Sequence, residues 1–253
     1  MLTDMYQITM AYAYWKAGRH NEHATFEMFF RKCPFKGEYA VFAGLDQALA
    51  FIKTFKFTAS DLEYLKSCKS LADCEDAFFE YLGTLNASSV KVDALREGTL
   101  AFPRVTLMSI SGPLIVCQLM ETTLLNLVNF PSLVATNAAR MRLAAGPEKT
   151  LLEFGLRRAQ GPDGGISASR YSYVGGFDGT SNVKAGKLSG IHVSGTHAHA
   201  FVQSYTGFHN IKDPALKRKG SEEAVDFVAR VKVTPCGQGR GRAGQGRGQG
   251  DTV

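Results

Sequence analysis

The part of the sequence that decides the fold is Ile191-His192-Val193-Ser194-Gly195-Thr196-His197-Ala198-His199-Ala200-Phe201. Apolar and polar residues alternate up to Ser194, which predicts a short β-strand. Gly195 ends this strand, and Thr196 is a suitable N-cap for a helix that continues to Tyr205. A strand that leads directly into a helix is typical of α/β folds.

The junction between this strand and this helix is a candidate anion site, because free backbone N–H groups meet the positive end of the helix dipole there. His199 lies in the first turn, and its imidazole could act as acid, base or nucleophile near neutral pH. The alternative is a purely structural histidine. No metal site is expected, because His197 and His199 diverge on a helix and no nearby Asp, Glu or Cys completes a zinc set.

Length and composition favour a protein with a buried core. The 253 residues suffice for one large domain or two small ones, with 45% hydrophobic and 21% charged residues. There is no continuous apolar run of about 18 residues, so no membrane-spanning helix is expected. The N-terminal residues do not resemble a signal peptide. Five scattered cysteines indicate reduced thiols in the cytosol rather than a disulfide framework.

Half of the net charge of +6 comes from the end of the chain. Without the residues from Lys232 onward the chain has 25 basic and 22 acidic residues, so no nucleic-acid partner is expected for the folded part. Residues 237–250 are half glycine, with mostly Arg and Gln besides, and are predicted to be disordered. An RNA-binding segment is one interpretation, but it contains no aromatic residue for base stacking. An unrelated appended sequence is favoured.

The periodicity of apolar residues predicts alternating helices and strands. Helices are predicted at residues 4–15, 41–55, 60–66 (with Ser60 as the cap), 76–85, 121–145, 148–159, 167–174 and 221–230. Strands are predicted at residues 25–30, 90–95, 99–102, 105–107, 114–119 and 191–194. Turns are predicted at residues 111–113, 146–147, 160–165 and 175–182. The fold class expected from these elements is α/β.

A second candidate site is Glu153-Phe154-Gly155-Leu156-Arg157-Arg158 at the end of a predicted helix. A planar anionic ligand would be bound well by an aromatic face and a guanidinium group. Alternatively, Phe154 is a core residue and the arginines only complement the helix dipole. The glycine-rich residues 175–182 match neither common phosphate-loop motif. The residues alone therefore indicate an anion site without defining a reaction.

Several longer stretches together resemble animal nicotinate phosphoribosyltransferases. They are Leu2-Thr3-Asp4-Met5-Tyr6-Gln7, Phe29-Phe30-Arg31-Lys32-Cys33-Pro34-Phe35, Ser132-Leu133-Val134-Ala135-Thr136-Asn137-Ala138-Ala139-Arg140, Gly155-Leu156-Arg157-Arg158-Ala159-Gln160-Gly161-Pro162-Asp163-Gly164-Gly165 and Gly195-Thr196-His197-Ala198-His199. The resemblance extends from the first residues to about position 205. It is specific enough to make chance similarity a poor explanation.

The resemblance implies an enzyme that makes nicotinate mononucleotide from nicotinate and phosphoribosyl pyrophosphate, coupled to ATP hydrolysis with Mg²⁺, as a cytosolic homodimer. His199 corresponds to the catalytic histidine that ATP phosphorylates. Thr196 matches a nicotinate contact, and Tyr6 matches an aromatic residue that reaches across the dimer to the pyridine ring. Phe154 resembles the opposing stacking face, and Arg157 the guanidinium close to the ring and the ribose phosphate.

This sequence departs from the family pattern in two ways. His197 stands where the family usually has an apolar residue. The family's chain is about twice as long, and its later Asp-Ser-Gly signature and glycine-containing phosphate loop are absent here. We therefore expect an N-terminal α+β domain (residues 1–120), the first part of an incomplete (β/α) barrel (121–231) and a disordered tail (232–253). A truncated, inactive form is expected; the alternative is a non-catalytic isoform that regulates the full-length enzyme.

Overall fold

The computed structural model describes residues 1–34 and 36–233. They belong to two compact units, one from residue 1 to residue 195 and one from residue 196 onward. The α-helices are α1 (Met5–Lys16), α2 (Leu45–Thr54), α3 (Ala59–Ser67), α4 (Asp76–Thr84), α5 (Leu114–Ala145), α6 (Gly161–Val174), α7 (Val183–Ser189), α8 (His199–Gln203) and α9 (Phe227–Val233). The strands are β1 (His23–Met28), β2 (Ala40–Val41), β3 (Lys91–Ala94), β4 (Leu100–Ala101), β5 (Met108–Pro113), β6 (Leu152–Glu153), β7 (Gly179–Thr180), β8 (Ala215–Lys217) and β9 (Ala224–Asp226).

Helix α5 is the central element of the first unit. It is 32 residues long and contacts α1, α2, α6, β1 and β2. By length and apolar composition α5 could cross a membrane, but 56% of its most apolar 18-residue window is buried inside the protein. Burial of this kind is typical of a core helix, whose apolar positions pack against neighbouring elements rather than against lipid.

The N-terminal part of the first unit combines an antiparallel sheet with helices. Strand β5 lies between β1 and β3, and Ile110 is opposite Phe26 on one side and Val92 on the other. Met108 and Ile110 are buried and join one core with Phe42 and residues of α4 and α5. A sheet covered by helices on its apolar face is the α+β arrangement expected for this part of the chain.

The boundary between β5 and α5 differs from the prediction. Residues 105–107 and 114–119 were expected to be strands, with a turn at Ser111-Gly112-Pro113 between them; instead, these three residues end β5, and Leu114 begins α5. The cause is that residues 115–120 are all buried, so the apolar run does not show helical periodicity. Pro113 is compatible with its place because it is the last strand residue and the N-cap of α5.

The later part of the first unit contains parallel strands joined by helices. Strand β6 pairs in parallel with β7, and Thr180 of β7 forms a parallel bridge to Val193. Helix α6 connects β6 to β7, and α7 precedes Val193 in the chain. Parallel pairing through helical connections confirms the α/β class and is consistent with the first part of a (β/α) barrel.

The predictions for residues 148–174 were wrong in two places. The predicted helix at 148–159 is a loop followed by β6 and a 3₁₀ helix, Leu156–Arg158, because pairing with β7 overrides the local helical pattern. The predicted turn at 160–165 is the first part of α6, which has a proline in its first turn, where the missing N–H costs little.

Other boundaries also differ. The helix predicted at 41–55 begins at Leu45, because Val41 pairs with β4 and its N–H donates to Thr136 of α5 (2.8 Å). The cap of α3 is Thr58, which forms a capping box with Asp61, and not Ser60. The helix predicted at 221–230 is replaced by β9 and α9. The predicted strand at 191–194 is reduced to the single bridge at Val193.

Several predictions fall outside what the structure tests. The glycine-rich residues 237–250 and Cys236 lie outside the described residues. The expected domain boundaries at residues 120 and 231 stay predictions. Within the described ranges Cys33, Cys68, Cys74 and Cys117 are free thiols.

The contact between α5 and α6 supplies a test of the fold. A Cβ at Gly175, directly after α6, would lie 2.4 Å from the Ala135 carbonyl oxygen and 2.5 Å from the Ala138 Cβ. We therefore expect Gly175→Ala to lower the free energy of unfolding by about 1–3 kcal/mol through overpacking. The control is Gly164→Ala within α6, where the nearest atom would be 3.8 Å away. Urea unfolding followed by circular dichroism measures both, and equal destabilisation would contradict the packing argument.

Candidate substrate site

The residues predicted for the site lie in both compact units. Tyr6, Phe154 and Arg157 belong to the first unit, whereas Thr196 and His199 belong to the second. All five side chains are exposed. They are therefore described separately, beginning with the first unit.

Tyr6 is the second residue of α1 and is 48% exposed. The next residue, Gln7, is completely buried against α5, where its Nε2 donates to Glu121 Oε2 (2.6 Å). Gln118 Nε2 in turn donates to the Gln7 carbonyl oxygen (3.2 Å). These contacts fix the rotation of α1, because a buried polar group must keep its partners. Tyr6 is consequently directed to solvent.

Phe154 follows the last residue of β6 and is 40% exposed. The interpretation of Phe154 as a core residue is therefore wrong. Arg157, in the 3₁₀ helix that follows, is also exposed. Both residues lie just beyond the carboxyl end of a parallel strand, the edge at which barrel enzymes bind their substrates.

A buried carboxylate next to Phe154 was missed by the sequence interpretation. Glu153 is only 9% exposed. Its Oε2 accepts from Ser169 Oγ (2.8 Å) and Thr180 Oγ1 (2.7 Å), and its Oε1 accepts from the Gly155 N–H. Ser169 and Thr180 are 16 and 27 residues from Glu153 in the sequence, so no local sequence pattern could have indicated these two hydrogen bonds.

The segment before β6 is held by an ion pair. Arg142 of α5 donates to Asp178 Oδ2 (2.5 Å) and to the carbonyl oxygens of Gly176 (2.8 Å) and Lys149 (2.6 Å). Asp178 also accepts from the Leu151 N–H (2.7 Å). Arg142 therefore connects the end of α5 to the starts of both parallel strands.

In the second unit, α8 begins at His199 and is only five residues long. Its N-cap is Ala198 and not Thr196, so the predicted cap is wrong by two residues. Tyr205 lies beyond the end of the helix at Gln203. So short a helix adds little dipole field, because the macrodipole builds up over aligned peptide groups. The exposed imidazole of His199 is nevertheless accessible to a reactant.

His197 is accommodated at the surface. Its ring is stacked on that of Phe201, with the centroids 5.4 Å apart. The side chain is exposed, so the departure from the apolar family pattern disturbs no core packing. Within residues 1–34 and 36–233 no group of three His, Cys, Asp or Glu residues is placed to hold a metal ion.

A cavity of about 490 Å³ in the first unit contains none of the predicted site residues in its wall. It lies between the end of β1 and α5 and is lined by Phe29, Leu125, Leu133, Asn137 and Arg140, among others. Its wall includes parts of two of the stretches that carry the family resemblance. The cavity wall also combines aromatic and cationic side chains, such as Phe29 and Arg140, whereas the residues that the sequence predicted lie beside β6 and outside the cavity.

Comparison with known proteins gives consistent results. The model of the nicotinate phosphoribosyltransferase (NAPRTase) N-terminal domain matches residues 1–129. The nicotinate phosphoribosyltransferase of Caenorhabditis elegans is 56% identical over 227 residues, which are 90% of this chain and 40% of that protein. The human nicotinate phosphoribosyltransferase is 55% identical over 92% of this chain and 43% of its own length. This chain thus spans less than half of the relatives it matches.

Solved structures show the same relationship. The crystal structure of human nicotinic acid phosphoribosyltransferase matches with a TM-score of 0.81 and 55% identity, over 92% of this chain and 47% of that one. A nicotinate-nucleotide pyrophosphorylase from Pyrococcus furiosus matches with a TM-score of 0.62 at 22% identity, over 80% of this chain and 43% of that one, and shares the fold.

The Asp178 contacts predict a pH dependence of stability. The Leu151 N–H and the Arg142 guanidinium lower the pKa of the Asp178 carboxyl below its usual value. Because the folded pKa is the lower one, this stabilisation is present above the unfolded pKa of about 4 and is lost as the pH falls through the folded pKa. We expect Asp178→Asn to destabilise the protein at pH 7, with a difference from wild type that shrinks at pH 3. Urea unfolding at both pH values measures it, and a constant difference would refute the assignment.

Proposed function

Because the chain belongs to the nicotinate phosphoribosyltransferase family, we propose that it carries the pyridine-binding and phosphoryl-accepting part of an enzyme that makes nicotinate mononucleotide for NAD biosynthesis. The reactants are nicotinate, phosphoribosyl pyrophosphate and ATP. The observation that carries the proposal is the position of Phe154 and Arg157, both exposed at the carboxyl edge of a parallel strand pair in a chain that matches the family.

In this proposal Phe154 and Arg157 bind the aromatic acid together. The exposed face of Phe154 stacks against the pyridine ring, which favours an offset arrangement of the two rings. The guanidinium of Arg157 attracts the anionic groups close to the ring, the carboxylate or the ribose phosphate. Together they orient nicotinate so that its ring nitrogen can attack the ribose carbon that loses pyrophosphate.

Tyr6 serves the same site from a second copy of the chain. Its exposed ring stands at the start of a helix whose rotation is fixed by buried Gln7. A rigid, exposed tyrosine is well suited to an interface, because it offers a large contact area at low entropic cost. We assign it to the opposite face of the pyridine ring in a homodimer.

His199 accepts the γ-phosphoryl group of ATP on an imidazole nitrogen, which releases ADP, and Thr196 contacts nicotinate nearby. The exposure of His199 supports this role, because a sealed imidazole could not reach a nucleotide. The described residues offer no cluster of metal ligands. We assign Mg²⁺ to the phosphate groups of the substrates, because enzymes usually bind this ion through substrate phosphates and one or two carboxylates. The free thiols among the described residues support a cytosolic location.

The alternative role, a non-catalytic form that pairs with and regulates a full-length enzyme, stays a prediction. It depends on the same exposed Tyr6 surface as the homodimer. Copurification with a full-length family member would support it, provided that the 253-residue chain lacks activity of its own.

We expect the 253-residue chain by itself to form no nicotinate mononucleotide. In the described part the parallel segments are β6, β7 and the bridge at Val193, whereas a (β/α) barrel closes with eight strands. A chromatographic assay with nicotinate, phosphoribosyl pyrophosphate, ATP and Mg²⁺ tests this, with the Caenorhabditis elegans relative as a positive control. Robust turnover by the purified chain would overturn the expectation.

The role of His199 is tested in a chimera in which the aligned 227 residues of this chain replace the corresponding part of the Caenorhabditis elegans enzyme. We expect His199→Ala to abolish ATP hydrolysis coupled to product formation, because alanine has no nitrogen to phosphorylate. His197→Ala is the matched control, since His197 is equally exposed and contacts Phe201 only through ring stacking. ATP coupling that persists in His199→Ala, measured as ADP formed per mononucleotide, would disprove the assigned role.

A further inference from the structure

We propose that Glu153 is a positioning residue: its buried carboxylate fixes the turn that carries Phe154 and Arg157 and thereby sets the affinity for an aromatic carboxylate. The inference deepens the proposed function and rests on it for the identity of the ligand. The geometry of the turn itself is independent of that function.

The carboxylate acts as an acceptor in every contact described for it. The Asn182 N–H donates to Thr180 Oγ1 (3.0 Å), and Asn182 Nδ2 donates to Ser169 Oγ (3.1 Å). Because these amide groups can only donate, each hydroxyl oxygen accepts and keeps its own proton to donate. The Thr180 proton goes to Glu153 Oε2 (2.7 Å), and the Ser169 proton is shared between Glu153 Oε2 (2.8 Å) and the Gly165 carbonyl oxygen (2.9 Å). The chain of hydrogen bonds therefore ends on the carboxylate, which has no basic side chain among its described partners.

This arrangement joins the elements that surround the proposed site. Ser169 belongs to α6 and Thr180 to β7, and Asn182 is the N-cap of α7, where its Oδ1 accepts from the Ala185 N–H (3.2 Å). A carboxylate shared by these elements holds the ends of β6 and β7 in register. Removing one partner of such a buried group is costly, since the remaining polar atoms lose their hydrogen bonds.

The third donor is the one that connects the carboxylate to the ligand-binding side chains. The Gly155 N–H donates to the Glu153 side chain two residues earlier, and this hydrogen bond spans Phe154. A Cβ at Gly155 would lie only 3.0 Å from Glu153 Oε1, so a larger residue here would press against the carboxylate. The 3₁₀ helix with Arg157 starts immediately afterwards. The turn is thus held in one conformation before any ligand binds, which reduces the entropic cost of binding.

The test uses the full 253-residue chain with Glu153→Gln and, as a milder variant, Thr180→Val, which keeps the carboxylate but removes one donor. Glutamine retains the volume but replaces one acceptor oxygen with a donor, which cannot satisfy the same set of hydrogen bonds. We expect amide hydrogen exchange of residues 154–158 to rise by about tenfold, the factor for losing one hydrogen bond to a charged group. We also expect the calorimetric affinity for nicotinate to fall by a similar factor.

Glu97→Gln is the matched control. Glu97 is another carboxylate of the first unit that accepts backbone N–H groups, those of Gly44 (2.5 Å) and Leu45 (3.2 Å). Its replacement should raise exchange at residues 44–45 and leave residues 154–158 and the affinity for nicotinate unchanged. If Glu153→Gln does not fold, amide exchange and nicotinate affinity are compared with those of the wild type and Glu97→Gln in Thr180→Val and Ser169→Ala instead.

The two readouts separate this inference from the proposed function. Unchanged exchange at residues 154–158 in a folded variant overturns the positioning role, and so does increased exchange without any loss of nicotinate affinity. If the wild-type chain does not bind nicotinate although exchange rises in both variants, Glu153 still fixes the turn, and the assignment of nicotinate to this chain fails instead.

Discussion

The structure of the first unit depends on one helix that must bury its length against two different partners. The first half of α5 carries large side chains such as Ile115, Leu119 and Val128, which pack into the core beneath the antiparallel sheet. The second half carries small residues such as Ala135 and Ala138, against which α6 packs closely. The change from large to small side chains lets one helix pack against the α+β part with its first half and, closely, against α6 with its second half.

Each exposed aromatic residue of the proposed site follows or precedes a buried polar one. Tyr6 is next to Gln7, and Phe154 is next to Glu153. In both pairs the buried side chain makes hydrogen bonds to distant elements, so the backbone at that point has little freedom. Because breaking the hydrogen bonds of a buried polar group is costly, the buried residue fixes the backbone and keeps the adjacent aromatic ring exposed to solvent. The exposed ring then needs no packing of its own to keep its direction.

The sequence predicted the elements that are set by local patterns. The helix from Met5, the helix from Asp76 and the strand near Phe26 were located to within two residues, because their periodicity and end signals agree. The run after Pro113 was misread since it is buried on all sides, and β6 was missed since two residues of strand have no periodicity. At the site, the aromatic and guanidinium groups were visible locally, whereas the reaction came only from resemblance. The partners of Glu153 could not be found, because the fold alone brings them together.

The exposed positions of Phe154 and Arg157 have a further consequence for catalysis. Phosphoribosyl transfer proceeds against competition from water, so an enzyme of this kind must enclose the ribose carbon while nicotinate attacks it. A single turn after β6 can bind one face of the ring and one anionic group, but it cannot form an enclosure. The relatives from Caenorhabditis elegans and human are more than twice as long as the region aligned with this chain. In the proposed function, the Glu153-supported turn is therefore one preformed wall of the site, and other residues must supply the enclosure.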